Sequence, residues 1–295
     1  MNLARPARAL TLCLAALVAA GCATSTLTRL AYANTALAYN NLVPMLTWSV
    51  DGYVELSDTQ EDWVRARIKT QMQWHRASEL PQYGKFLEAA LAKTSQAFTA
   101  DDITPFYAGI RAHYHALLAH TIPDVAEFLA GLNDAQAAQL ARKFAEDNRK
   151  FERESLNGTP EERRRKRMHR FVDHLEGWIG SLEREQRAAI AAYYAELPDF
   201  SDESLGERRF RQGEIMAMVR SKGPRADTEA RLKRLLVDTD GWRRPEYTEK
   251  LRARDRKTFE LLAALSATLT DKQRVALQER IRGFIRDVAT LTRTD

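Results

Sequence analysis

The sequence predicts an all-α protein, a bundle of about ten helices with short loops and essentially no sheet. Apolar residues recur at spacings of three and four, which places them on one face of a helix. Few runs alternate apolar and polar residues as half-buried strands do. Most of the thirteen glycines and nine prolines lie between the periodic stretches, where turns are expected, as at Ile122-Pro123 and Gly223-Pro224.

The first residues are typical of an export signal. Arg5 and Arg8 precede an apolar run at positions 9–20, and small residues follow it. A charged start, a short apolar run and small residues before a cut site describe a removed signal peptide. The run is too short to cross a bilayer, which requires about 20 apolar residues. We therefore expect residues 1–21 to be absent from the mature chain.

The end of this segment, Ala19-Ala20-Gly21-Cys22, resembles the lipobox of bacterial lipoproteins. Lipoboxes usually have Leu where this chain has Ala19. The resemblance implies cleavage between Gly21 and Cys22 and acylation of Cys22 with palmitate-type chains; ordinary secretion and a retained anchor are the alternatives. Ala23 follows the cysteine, and the sorting rules of this class then favour the outer membrane, facing the periplasm. The membrane is thus an expected partner through the acyl chains.

Charge and cysteine content narrow the possible functions. The chain has 45 basic and 40 acidic residues, a formal charge of +5, and the signal segment takes two of the arginines with it. This balance does not require a nucleic-acid partner, and we expect none. Cys13 lies in the signal segment, so the mature chain retains Cys22 alone and forms no internal disulfide.

The remaining chain divides by composition. The expected parts are the acylated cysteine with a tether at 22–38, an N-terminal helical bundle at 39–197, and a C-terminal helical segment at 198–295 packed on the same bundle. The apolar stretch Tyr39 to Trp48 is expected to enter the core as a short helix interrupted at Pro44. Residues 198–245 have the lowest apolar density and form either a boundary or two exposed helices.

Helix starts share a short motif, Leu-x-x-x-Gln. It occurs at Leu56–Gln60, Leu132–Gln136, Leu182–Gln186 and Leu269–Gln273. In three of the four, Ser, Asn or Thr stands at the N-cap position with Gln three residues later, which is the pattern of a capping box. Four copies are a modest excess over the number that the composition alone would give, so the motif is a weak repeat. The strongest amphipathic segment, Pro160 to Leu182, ends at one of these motifs.

Several further motifs resemble an uncharacterised family of Gram-negative envelope lipoproteins, known only as a domain of unknown function. They are Asp51–Leu56, Trp74-His75-Arg76, Glu79–Tyr83, Phe144–Asn148 with Phe151, the basic run Arg163–Arg167, and Trp242 with Pro245–Tyr247. The resemblance extends from about Tyr39 to Val288. It implies a helical envelope lipoprotein, and it implies neither an activity nor catalytic residues. The Leu-x-x-x-Gln motifs at 56–60 and 269–273 are more weakly similar to LTxxQ-type periplasmic chaperones and stress proteins.

Two groups of residues are candidate sites. A possible partner surface comprises Trp74, His75, Arg76, Glu79 and Tyr83, although an Arg76–Glu79 ion pair would explain part of this pattern structurally. A possible anionic-surface contact comprises Arg163, Arg164, Arg165, Lys166, Arg167 and Arg170. The alternative for the second group is a solvated helix start, because five consecutive cations spread around a helix and Glu161 can pair with Arg165.

Signatures of catalysis are missing from the sequence. No nucleophile elbow, phosphate-binding loop, dinucleotide fingerprint or HExxH motif is present. The six histidines lack the spacing of three or four that two ligands on one helix need. We therefore expect no enzyme activity, no metal and no cofactor. The sequence favours a lipid-anchored interaction or structural module with an envelope protein or glycan partner; the alternative is a periplasmic chaperone or envelope-stress protein. The oligomeric state stays open.

Overall fold

The computed structural model describes residues 39–293, and every regular element in that range is helical. In chain order the α-helices are α1 (Leu42–Val54), α2 (Asp58–Trp74), α3 (Leu80–Lys93), α4 (Ala100–Ala130), α5 (Asp134–Phe151), α6 (Pro160–Ile179), α7 (Arg184–Glu196), α8 (Ser201–Ser221), α9 (Arg225–Leu236), α10 (Pro245–Ala267) and α11 (Asp271–Arg293). Since α2 continues into α3 through a π-helical turn at His75–Glu79, these α-helices make ten separate segments. The predicted fold class is confirmed. The expected signal peptide, cleavage site, Cys22 and tether lie outside the described residues.

Helix α1 differs from its sequence-based prediction in two respects. A turn at Asn41 precedes the helix. The helix then continues without a break through Pro44, which occupies its first turn. Proline is tolerated there because the backbone N–H it lacks would have no partner in the helix. Trp48, expected in the core, is 78% exposed, because it lies on the helix face opposite to the buried Leu46 and Val50.

Two other sequence-based expectations are wrong. Pro123 does not separate helices, because α4 continues through it, and the flanking Ile122 and Val125 are both buried. Packing of this segment outweighs the hydrogen bond that proline removes. Residues 198–245 are not two exposed helices. Their helices α8 and α9 bury Ile215 and Leu232 almost completely.

The buried apolar side chains form two clusters. The first combines α1, α2, the second half of α4, α5, α8 and α9, and also receives Leu291 from α11. The second combines α6, α7 and the second half of α10, with Leu277 of α11 packed against it. Helices from both sides of the proposed boundary after residue 197 contribute to each cluster. The division into 39–197 and 198–295 stays a prediction.

The four Leu-x-x-x-Gln motifs meet in pairs. At each motif the glutamine side chain accepts from the backbone N–H at the start of its own helix, as the capping box requires. The same four amides then pair across the fold: Gln60 with Gln136, and Gln186 with Gln273. In the second pair both Nε2 to Oε1 distances are 2.9 Å, so the two amides exchange hydrogen bonds reciprocally.

Each pair also binds the backbone that precedes the partner helix. Gln186 donates to the carbonyl of Thr268, and Gln273 donates to the carbonyl of Ser181. Each acceptor lies two residues before the N-cap of the opposite helix. Gln136 makes the same contact with the carbonyl of Glu55. The weak sequence repeat therefore corresponds to a repeated amide contact, one beside each apolar cluster. Each contact fixes two helix starts against each other.

None of the helices in the described part of the chain combines the length and apolarity that crossing a bilayer requires.

Replacing Gln186 with Ala should lower the free energy of unfolding by roughly 2–3 kcal/mol, because it removes both hydrogen bonds between the paired amides and leaves the Glu183 N–H and the Thr268 carbonyl without these partners. Urea denaturation measures this change. Gln96→Ala, at an exposed glutamine, is the matched control and should change stability by less than about 0.5 kcal/mol. A Gln186→Ala variant as stable as the control would show that the pair is energetically unimportant.

Candidate functional site

The residues proposed as a partner surface gather where α2 passes into α3. Trp74 ends α2, the π-helical turn spans His75–Glu79, and Tyr83 lies in the first turn of α3. A π turn places one extra residue in the helix and is frequent at functional sites. Here both His75 and Glu79 face the interior of the bundle and are buried.

This turn binds the two residues Tyr39 and Asn40, which lie shortly before α1. The hydroxyl of Tyr39 lies 2.9 Å from Nδ1 of His75, and the guanidinium of Arg76 lies 5.2 Å from the centre of the Tyr39 ring. Arg76 also donates to Oδ1 of Asn40 at 2.8 Å. Two successive residues of the entering chain are thus bound by two successive residues of the turn.

A second layer of contacts comes from α4. Oε2 of Glu79 lies 3.4 Å from Nδ1 of His113. The Tyr83 ring makes edge contacts with both histidines, at 5.3 Å from His75 and 4.9 Å from His113 between ring centres. We call Tyr39, His75, Arg76, Glu79, Tyr83 and His113 the junction cluster.

Beside the junction cluster, the Trp74 indole stacks on the ring of His120, with 3.7 Å between ring centres and 10° between ring planes.

The structure corrects part of the partner-surface hypothesis. His75 and Glu79 are 3% and 9% exposed, so neither can meet a partner at the surface. The Arg76–Glu79 ion pair is also absent, because Arg76 turns toward Asn40 and Glu79 toward His113. Trp74, Arg76 and Tyr83 are half-buried and remain the part of the group to which the hypothesis applies.

Burial determines the protonation of the junction cluster. It lowers the pKa of His75 to about 4, so the imidazole is neutral at physiological pH. It raises the pKa of Tyr39 to about 12, although Arg76 opposes this shift. The Tyr39–His75 contact is therefore a neutral hydrogen bond at pH 7. Its chemistry suits holding the chain, since neither group gains or loses a proton near neutrality.

The junction cluster is incompletely satisfied. Nε2 of His75 is buried and has no hydrogen-bond partner among the described residues. Oε2 of Glu79 likewise accepts no hydrogen bond there, although it faces His113. A buried polar group without a partner costs roughly 1–3 kcal/mol. The surrounding apolar packing therefore supplies part of the stability that holds this polar group in place.

The basic run divides into two sets of side chains. Nε of Arg163 and Nη1 of Arg167 lie 2.8 Å and 2.7 Å from Oδ2 of Asp199, and the three side chains are about four-fifths buried. Burial raises the pKa of Asp199, but hydrogen bonds from Ser201 and Arg163 outweigh it and hold the pKa below its usual range. Arg163 and Arg167 therefore tie α6 to the loop after α7 and are not available to an anionic surface.

The rest of the basic run faces outward. Arg165, Lys166 and Arg170 are exposed and form no ion pair, and the expected Glu161–Arg165 pair is absent from the described residues. Arg164 is half-buried. A shallow depression of about 500 Å³ adjoins this face; it is lined by Asn157, Gly158, Glu162, Arg165, Lys166 and His169. The anionic-surface hypothesis now applies to three exposed cations rather than to six.

The geometry offers no obvious metal centre within residues 39–293, where no group of three or more His, Cys, Asp or Glu side chains is placed to bind one ion. Sequence reasoning also missed members of the junction cluster. Tyr39 gave no local signal, because its partners lie 33 to 36 positions away. His113 gave a partial signal, since it shares a helix face with His120 about two turns away.

The fold and the junction cluster define an all-α bundle in which the turn between α2 and α3 binds Tyr39 and Asn40. Residues 52–248 match a family described as a family of unknown function (DUF6279), which covers well over half of the chain. The chain belongs to this family. The matched region contains the π-helical turn, the basic run and three of the four Leu-x-x-x-Gln motifs. No curated protein and no solved structure matches the chain significantly.

Acid should weaken the fold through His75. The folded-state pKa of about 4 lies below the unfolded value of about 6.5, so the unfolded chain takes up the proton first. The stabilisation is complete above about pH 6.5 and is lost as the pH falls toward 4, up to about 3 kcal/mol. Urea denaturation from pH 7 to pH 4 should show a shallower decline for His75→Gln than for the unaltered chain. His169→Gln, at an exposed histidine, should leave the decline unchanged; equal declines in all three would disprove the assignment.

Proposed function

We propose that this protein is a lipid-anchored helical module of the cell envelope that binds an envelope protein or glycan and performs no catalysis. Acyl chains on Cys22 would hold it at the outer membrane, facing the periplasm. The observation that carries the proposal is the sequence Ala19-Ala20-Gly21-Cys22 after a short apolar run with a basic start. Several acyl chains together give attachment that a single short chain cannot.

The junction cluster supports this proposal. A force on a lipid-anchored N-terminal segment would act first on α1, so contacts that bind the residues before α1 to the bundle would resist its separation. Tyr39 and Asn40 are held by His75 and Arg76, directly before α1 begins. The described helices do not themselves cross a bilayer, so a lipid on Cys22 would supply the attachment that they lack.

The chemistry of the described site favours binding over catalysis. Histidine is the commonest general acid–base residue, and an effective one has a pKa near the working pH. The pKa of His75 is far below that range, and burial also lowers the pKa of His120. The same side chains are used to pack and to hold the entering chain.

Cys22→Ser should release the protein from the membrane fraction, because it removes the atom that would carry the acyl chains. Fractionation of cells expressing the full chain, with mass spectrometry of the N-terminal peptide, measures both location and modification. Cys13→Ser is the matched control and should leave the protein on the membrane, since Cys13 lies in the segment expected to be removed. An unmodified Cys22, or the unaltered chain in the cytosol, would contradict the proposal.

One observation favours a second function, that of a periplasmic chaperone. No residue of α3 after Leu80, and none in the first half of α4 up to Ala116, is fully buried. Phe86 and Phe106 stack at 4.4 Å, and Gly109 lets the Phe86 ring lie directly on the α4 backbone. This leaves accessible apolar side chains on two neighbouring helices, which an unfolded client could cover.

If the second function holds, the purified protein should suppress aggregation of an unfolded client, and Phe106→Gln should weaken that suppression several-fold. Light scattering of a thermally unfolding client measures the effect. Phe210→Gln makes the same change at an exposed phenylalanine of α8 and should leave suppression intact. No suppression by the unaltered protein at molar excess would eliminate this function.

A further inference from the structure

Helix α1 carries the most exposed large apolar side chain of residues 39–293. Trp48 is 78% exposed, compared with 57% for Val275 and 43% for Phe210. The opposite face of the same helix is in the core, where Val50 and Val54 are completely buried. The exposure of the indole is therefore fixed by a well-packed helix.

The turn of α1 that precedes Trp48 is apolar. Pro44 is exposed one turn before it, and Met45 is half-buried beside it. No charged residue occurs from Asn41 to Val50. In solution such a face leaves a large indole ring in water. Transfer of this ring to an apolar environment is favourable.

A bilayer surface fits this face. Tryptophan has an apolar ring and one N–H donor, and it is enriched where lipid headgroups meet the hydrocarbon. Neighbouring carboxylates would be repelled by anionic lipids, and this stretch of α1 has none until Asp51, which is half-buried and accepts from the backbone of Leu56. No described helix could span the bilayer, so the contact is one of surface docking.

The position of α1 in the chain brings this face to the membrane. The junction cluster fixes Tyr39, three residues before α1 starts. The sixteen residues between Cys22 and Tyr39 span at most about 58 Å even when fully extended, at about 3.3–3.6 Å per residue. An acylated Cys22 would therefore keep α1 close to lipid, where a weak contact is occupied because of its high local concentration.

We propose that Trp48, with Pro44 and Met45, docks α1 on the phospholipid bilayer that holds the acyl chains, with the indole in the headgroup region. The docking orients the bundle on the membrane and directs the rest of its surface to the periplasm. It deepens the proposed function, because it takes the anchor on Cys22 as the reason for the proximity.

Quenching by brominated lipids tests the docking directly. The full-length mature protein is reconstituted in phosphatidylethanolamine–phosphatidylglycerol vesicles with and without brominated acyl chains. The emission of Trp48 is the difference between the emission of the unaltered protein and that of the Trp48→Phe variant. Brominated lipid should reduce it at least twofold. The emission assigned in the same way by Trp242→Phe is the matched control and should change little, with circular dichroism confirming that both variants are folded.

Unquenched Trp48 emission overturns the docking. Water-like emission would mean that the indole stays in solvent, and blue-shifted unquenched emission would mean that protein covers it, whether residues 23–38, a second copy or another partner. Mass spectrometry of the Cys22 peptide from the same sample separates the two proposals. Acylated Cys22 with unquenched Trp48 refutes docking alone. Unmodified Cys22 refutes the anchor, and quenching with excess vesicles then still decides whether α1 docks.

Discussion

The architecture depends on the reciprocal amide pairs Gln60–Gln136 and Gln186–Gln273. A buried amide is costly unless its donors and acceptor are all used. In the second pair each amide caps its own helix, bonds its partner and binds the backbone before the opposite helix. The apolar clusters supply most of the stabilisation, but apolar contacts are non-directional. The amide pairs add direction, because a shift of either helix by one residue would break several hydrogen bonds at once.

The contacts of Tyr39 and Asn40 connect the start of α1 to the rest of the bundle. The π-helical turn between α2 and α3 binds Tyr39 and Asn40 through neighbouring side chains, and α1 begins directly afterwards. Tyr39 and Asn40 are therefore fixed to α2 and α3 as well as to α1. The same arrangement sets the side on which α1, with its exposed indole, faces outward.

Local signals predicted the helices well and their partners poorly. The capping boxes follow from residues three positions apart, so the sequence predicts the starts of α2, α5, α7 and α11. The choice of Gln136 as partner of Gln60 involves residues 76 positions apart and left no local signal. The apolar stretch at 39–48 does not show that Trp48 faces outward, because apolar residues occupy both faces of this part of α1. Arg163 and Arg167 were grouped with their exposed neighbours because their common acceptor, Asp199, lies more than thirty residues away.

Hydrogen exchange of the side-chain amides tests the central claim most directly. NMR can follow the Nε2 protons of Gln186 and Gln273 in the folded protein. The account predicts that they exchange as slowly as backbone amides in the core, because both are held in a reciprocal buried pair. The exposed Gln96 should exchange at the rate of a free amide. Rates at Gln186 and Gln273 equal to that of Gln96 would contradict the account, since the amides would then be open to solvent.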